Sequence, residues 1–127
     1  MPGYDAGSLQ KPYADLAAAH QKAWAGSPRQ PYIPAVTAGW DKRPWEGPAG
    51  LGQKEGWYFP DRSPEAFGQF VRSGIEWMDR HPEQITKERL MVVYAWNEFG
   101  EGGYLAPTKG DPDAKYLKAL QAAVTGF

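Results

Sequence analysis

The chain has 127 residues, 42% of them hydrophobic, enough for one globular domain and too many for a disordered tail. Lys and Arg number 14 against 15 Asp and Glu, and the net charge of -1 gives no electrostatic basis for binding nucleic acid or an anionic membrane. The absence of cysteine excludes disulfides, thiol catalysis and Cys-based zinc sites, and no apolar run approaches the ~18 residues of a membrane span.

In chain order, Leu9, Tyr13, Leu16, Ala17, His20 and Trp24 recur at three- and four-residue steps, which predicts an amphipathic helix with Pro12 in its first turn. "SPRQP" breaks the chain, and "YIPAVT", Tyr32 to Thr37, reads as a strand whose Pro34 confines it to a strand start or an edge. From Trp40 to Arg62, "WDKRPWEGPAGLGQKEGWYFPDR" has no periodicity and exceeds the ~12–15 residues beyond which structureless loops are unusual. Ser63 and Pro64 then form an N-cap and first-turn pair. Phe67, Phe70, Val71, Ile75 and Met78 mark the buried face of a helix reaching about Arg80. "LMVVYAW", Leu90 to Trp96, is continuously apolar, the pattern of a parallel strand covered on both faces. Finally Asp113 is expected to cap a helix bearing Tyr116, Leu117, Leu120, Ala123 and Val124 on one face.

Helices alternating with strands predict an α/β fold with parallel pairing. Two strands leave exposed edges and little core, whereas a (β/α)8 barrel of the TIM type needs eight in ~250 residues. Residues 1–127 are therefore expected to be the carboxy-terminal portion of such a barrel, its last two βα units plus the preceding helix. The remaining amino-terminal part of the barrel is the expected partner. The start, "MPGYDAGSLQKPY", lacks the plan of a signal peptide, and the expected compartment stays open for a soluble protein.

Both long loops follow the carboxyl end of a strand, where β/α barrels build active sites. Trp40 and Asp41 occupy the first end, and Trp96, Asn97, Glu98 and Glu101 the second. Two carboxylates three residues apart can flank a scissile glycosidic bond, one as base or nucleophile and one as acid, and a single helical turn would put them on one side. Gly100, Gly102 and Gly103 lack phosphate-loop spacing and read as a tight turn requiring positive φ. His20 and His81 read as packing or capping residues, and Asp111 and Asp113 as a turn with a helix cap, so neither a metal nor any other cofactor is expected. Trp40, Trp45, Trp57, Tyr58 and Phe59 offer flat apolar faces beside polar groups, which suits a pyranose.

Together "YIPAVTAGWDKRPW", "YAWNEFGEGGYLAP" and "KYLKAL" resemble the end of glycoside hydrolase family 99-like barrels, including the WbsX-like glycosyltransferases, over nearly the whole chain. The W-N-E-x-x-E-G core carries most of the likeness. The resemblance implies a β/α barrel acting, without a metal, in retaining endo-acting cleavage of an α-mannoside-like glycan. It makes Glu98 the group that deprotonates the sugar 2-hydroxyl, whose oxygen attacks the anomeric carbon to give an epoxide-like intermediate, and Glu101 the acid, then base. Trp40, Asp41, Trp45, Trp96, Asn97 and Tyr104 are expected to bind the oligosaccharide. The chain departs from the family pattern at Phe99, where relatives often carry Trp, and at Ala106, where they often carry Glu. Two other functions stay open: a glycosyltransferase, with Lys42 and Arg43 meeting a nucleotide diphosphate, and a non-catalytic carbohydrate-binding fragment.

Overall fold

The computed structural model describes residues 10–26, 30–43 and 57–126. Leu9 and Trp45 lie outside the described residues, as does most of the loop that Trp45 belongs to. The described chain is a mixed α/β structure in which three α-helices pack around a parallel pair of strands, with a small antiparallel hairpin beyond them.

Helix α1 spans Tyr13–Ala25. It begins after Pro12 rather than upstream of it, because Pro12 is extended, with φ -61° and ψ 139°. The helix has no cap of its own, and Asp61 supplies one from the long loop by accepting the Tyr13 N–H at 2.6 Å. The predicted stripe faces inward: Tyr13 and Trp24 are buried, and Leu16 and Ala17 pack against the core. Helix α2, Pro64–Arg80, starts as predicted, with the Ser63 hydroxyl accepting the Ala66 N–H at 3.1 Å. Its buried face holds Phe67, Phe70, Val71 and Met78, with Trp77 added to the predicted set. Trp24 stacks on Phe70 at 5.8 Å between centroids and tilts against Trp77, which joins the two helices.

Strand β1, Ala35–Thr37, pairs in parallel with β2, Val92–Tyr94, in the register Ala35↔Val92, Val36↔Val93 and Thr37↔Tyr94. The predicted strand starting at Tyr32 survives there only as an isolated bridge to Ile85. The expectation of a second strand covered on both faces needs correction. Only three residues of Leu90–Trp96 are strand, and Val92 is 52% exposed. No third strand is paired to β2 among the described residues; Met91 and Val93 pack against the core, while Leu90, Val92 and Trp96 are left exposed. The opposite edge of the sheet is closed by α1, where the Tyr13 hydroxyl donates to the Thr37 carbonyl at 2.6 Å and Trp24 Nε1 donates to the Ala35 carbonyl at 3.1 Å. These side chains take the place of a neighbouring strand.

Past β2 the chain forms a hairpin of β3, Asn97–Glu98, and β4, Gly103–Tyr104, joined through a 3₁₀ turn over Phe99–Glu101. Helix α3, Lys115–Thr125, packs along α2. Its predicted cap is corrected. Ala114, not Asp113, sits at the N-cap with φ 52°, and the Asp111 carboxylate accepts the Lys115 N–H at 2.9 Å. No helix among the described residues is long and apolar enough to cross a membrane.

Candidate active site

The carboxyl ends of β1 and β2 are joined by close backbone contact. The Asp41 N–H donates to the Glu101 carbonyl at 2.7 Å. A Cβ on Gly39 would come within 2.5 Å of the Gly102 carbonyl oxygen, and one on Gly103 within 2.4 Å of Tyr94 Cε1. Gly102 has φ 69°, and a Cβ there would stand 2.8 Å from the Asp41 nitrogen. The predicted turn glycine is thus Gly102, while Gly103 serves close approach. Residues 39–41 and 101–104 form one rim.

On this rim the Glu101 carboxylate accepts a hydrogen bond from the Tyr94 hydroxyl. Burial raises the Tyr94 hydroxyl's pKa above its ordinary range; the hydrogen bond to Glu101 and the charges of Glu101 and Glu98 push the same way. Glu98 is the N-cap of the 3₁₀ turn that ends at Glu101, so the expected single helical turn is a tighter one. The Tyr94–Ala95 peptide leading into the rim is cis.

Asp41 is held differently. Its carboxylate takes the Arg43 guanidinium through Nε at 2.9 and 3.1 Å and Nη2 at 2.6 Å, and the Arg43 backbone N–H at 3.0 Å. Burial pulls the Asp41 carboxyl upward, but the hydrogen bonds and charge of Arg43, helped by the charge of Arg62, hold it below the ordinary carboxylate range. Arg43 in turn lies over the Tyr58 ring at 3.7 Å.

Trp40 packs against Tyr94 with centroids 6.0 Å apart, and the Lys42 ammonium stands over the Trp40 ring at 5.5 Å from its centroid. Two hollows meet at the wall formed by Trp40 and Phe59. One, of about 450 Å³, is largely apolar and is lined by His20, Thr37, Trp57 and Tyr94 as well. The other, of about 260 Å³, adds Asp41, Arg43, Arg62, Phe99 and Tyr104. Trp96 is 53% exposed, and its carbonyl accepts the Leu105 and Ala106 N–H groups at 3.0 Å each. Asn97 is exposed and pairs with Tyr104 across the hairpin. Glu98 and Glu101 line neither hollow and stand beside them.

The structure thus brings Trp40, Asp41, Tyr94, Glu98, Glu101 and Tyr104 to one rim, with Trp96 and Asn97 on its approach. Tyr94 and Arg62 belong to it as well; Tyr94 opens the stretch "YAWNEFGEGGYLAP", whose pattern assigns it no role, and the context of Arg62, "FPDR", carries no motif. The histidines lie elsewhere. His20 Nε2 is 2.7 Å from the Thr37 hydroxyl, and His81 ends α2 with Nδ1 2.8 Å from the Trp77 carbonyl. Among the described residues no three His, Cys, Asp or Glu side chains gather into a metal-binding group.

A family model described as Glycosyltransferase WbsX matches residues 7–120, a span that contains every residue of the rim. No curated protein and no solved structure matches the chain.

Proposed function

The chain belongs to the WbsX glycosyltransferase family, and from that premise we propose that it is part of a larger β/α barrel that hydrolyses a glycan with Glu98 and Glu101 as the catalytic pair. Family membership supports a carbohydrate-active protein. The observation that carries hydrolysis is the fixing of Glu101 on two sides, by the Tyr94 hydroxyl at its carboxylate and by the Asp41 N–H at its backbone carbonyl. General acid and base groups work only from such fixed positions.

In this reading Glu98 removes the proton of the sugar 2-hydroxyl, whose oxygen attacks the anomeric carbon while Glu101 protonates the departing oxygen. Water then opens the epoxide-like intermediate, giving its proton to Glu101, and the 2-oxygen recovers its proton from Glu98. Two inversions give net retention. Trp40, Trp45, Trp96 and Tyr104 would offer ring faces to the α-mannoside-like oligosaccharide, and Asn97 a polar contact; Asp41 would shape the site through Arg43.

Glycosyl transfer is the second reading, supported by Arg43 and Arg62 lining the smaller hollow beside the pair. Incubation of the complete barrel with α-mannan oligosaccharides separates the two. Internal cleavage with retained configuration is expected, slowed on the order of 10²–10⁴ by Glu98→Gln or Glu101→Gln. Turnover of a nucleotide-sugar without glycan hydrolysis would support transfer instead. Saturable glycan binding indifferent to both substitutions, with no turnover, would leave a binding fragment.

A further inference from the structure

We infer that the hollow of about 260 Å³ beside Trp40 is a subsite for a sugar unit carrying one negative charge, as a carboxylate or a sulfate ester. The inference rests on the carbohydrate reading of the same rim and names the kind of glycan it takes.

Arg62 carries most of the weight. Its guanidinium lies between the rings of Tyr104 and Tyr116, 4.4 and 4.3 Å from their centroids, which fixes the plane of the fork. One of its donors is used, Nη1 to the Ala38 carbonyl at 3.0 Å. A guanidinium has five. No carboxylate pairs with Arg62 among the described residues. Gly39 leaves it room, since a Cβ there would come 2.7 Å from Arg62 Cδ and 2.9 Å from Nη1. A rigid fork with spare donors matches a planar carboxylate, or two oxygens of a sulfate, in bidentate fashion.

The charge balance sets the valence of the ligand. Arg43 and Arg62 both line the hollow, and Asp41, in a bidentate pair with Arg43, is the one carboxylate among the lining residues, so one positive charge is left over. That suits a monoanion better than a diphosphate. The remaining walls, Trp40, Tyr104 and half-exposed Phe99, present ring faces of the kind that stack on a pyranose. The volume is below the roughly 300 Å³ at which drug-sized sites begin, which fits one sugar unit.

Titration calorimetry of the complete barrel tests this with four probes: a uronic acid oligosaccharide, a sulfated oligosaccharide, a neutral mannan oligosaccharide and a nucleoside diphosphate. At least one acidic oligosaccharide should bind more tightly than the neutral one, and its affinity should fall with added salt. Arg62→Lys, which keeps the charge and loses the fork, should weaken that binding about tenfold to a hundredfold and weaken the neutral probe much less. Preference for one acidic probe identifies the carboxylate or the sulfate. Equal affinity for neutral and acidic glycans, or wild-type binding indifferent to salt, overturns the inference while leaving the carbohydrate reading intact. Arg62-dependent binding of the nucleoside diphosphate in preference to both acidic glycans also overturns it and favours glycosyl transfer. Failure of every glycan to bind overturns both readings. An Arg62 variant that unfolds leaves the salt dependence of the wild-type chain to decide.

Discussion

At the end of β1 and at the end of β2 a carboxylate follows a parallel strand, and the two are held in opposite ways. Asp41 is enclosed by Arg43, which reaches both carboxylate oxygens and adds its own backbone N–H. Glu101 receives a phenol hydroxyl from Tyr94, and no ion pair holds it among the described residues. An acid saturated by a guanidinium is a fastener, whereas an acid steadied by one neutral donor keeps lone pairs for a substrate. The sequence reading expects Asp41 to bind the oligosaccharide; from its pairing with Arg43 we propose instead that it shapes the site through that residue.

The largest effect that can sharpen this contrast is on turnover. In the complete barrel, Glu98→Gln and Glu101→Gln should each lower the rate on the order of 10²–10⁴, with melting temperatures close to wild type. Next in size is the joint between the two strand ends. Gly102→Ala must hold a left-handed backbone, costing about 1–2 kcal/mol, and its Cβ would meet the Asp41 nitrogen at 2.8 Å. Urea unfolding of the chain should show that loss, and an unchanged midpoint would separate the two ends. Tyr94→Phe removes the donor to Glu101 and should cost about 1 kcal/mol in the same measurement, together with a fall in kcat exceeding any change in KM.

The smallest effect belongs to the fastener. Side-chain exposures of 38% for Arg43 and 26% for Asp41 leave the pair partly screened by water. Asp41→Asn should therefore cost no more than about 1 kcal/mol. Its pH dependence has a definite sign. The folded pKa of Asp41 is depressed, so its contribution is fully present above the ordinary carboxylate value, about 3.9, and is lost as pH falls through the folded value. Thermal melts of wild type and Asp41→Asn should converge in acid, and a gap that widens there would break the assignment.

Local signals were legible and long-range ones were not. The Ser63 cap and the stripe of α2 depend on residues three or four apart, and the chain adopts them as read. The length of β2 depends on what pairs with it, so the apolar run Leu90–Trp96 overstated both strand and burial. Asp111 displaced Asp113 as the partner of α3's first turn because the turn through Thr108 and Asp111 sets the approach of the chain. At the rim, the glutamate pair and Trp40 could be found from strand ends, a local pattern. The capping of β1 by Tyr13 and Trp24 spans 24 and 11 residues, and Arg62 meets Tyr104 and Tyr116 only through folding. No spacing rule points to such partners.

The sharpest discrimination comes from leaving-group dependence in the complete barrel. Hydrolysis by Glu101→Gln would be compared on a natural mannan oligosaccharide and on an activated aryl α-mannoside, with Glu98→Gln in parallel. Loss of a general acid should slow the natural glycan on the order of 10²–10⁴ and spare much of the activated substrate, while Glu98→Gln should slow both alike. Near-normal hydrolysis of the natural glycan by either variant would contradict the assignment of Glu98 and Glu101 as the catalytic pair.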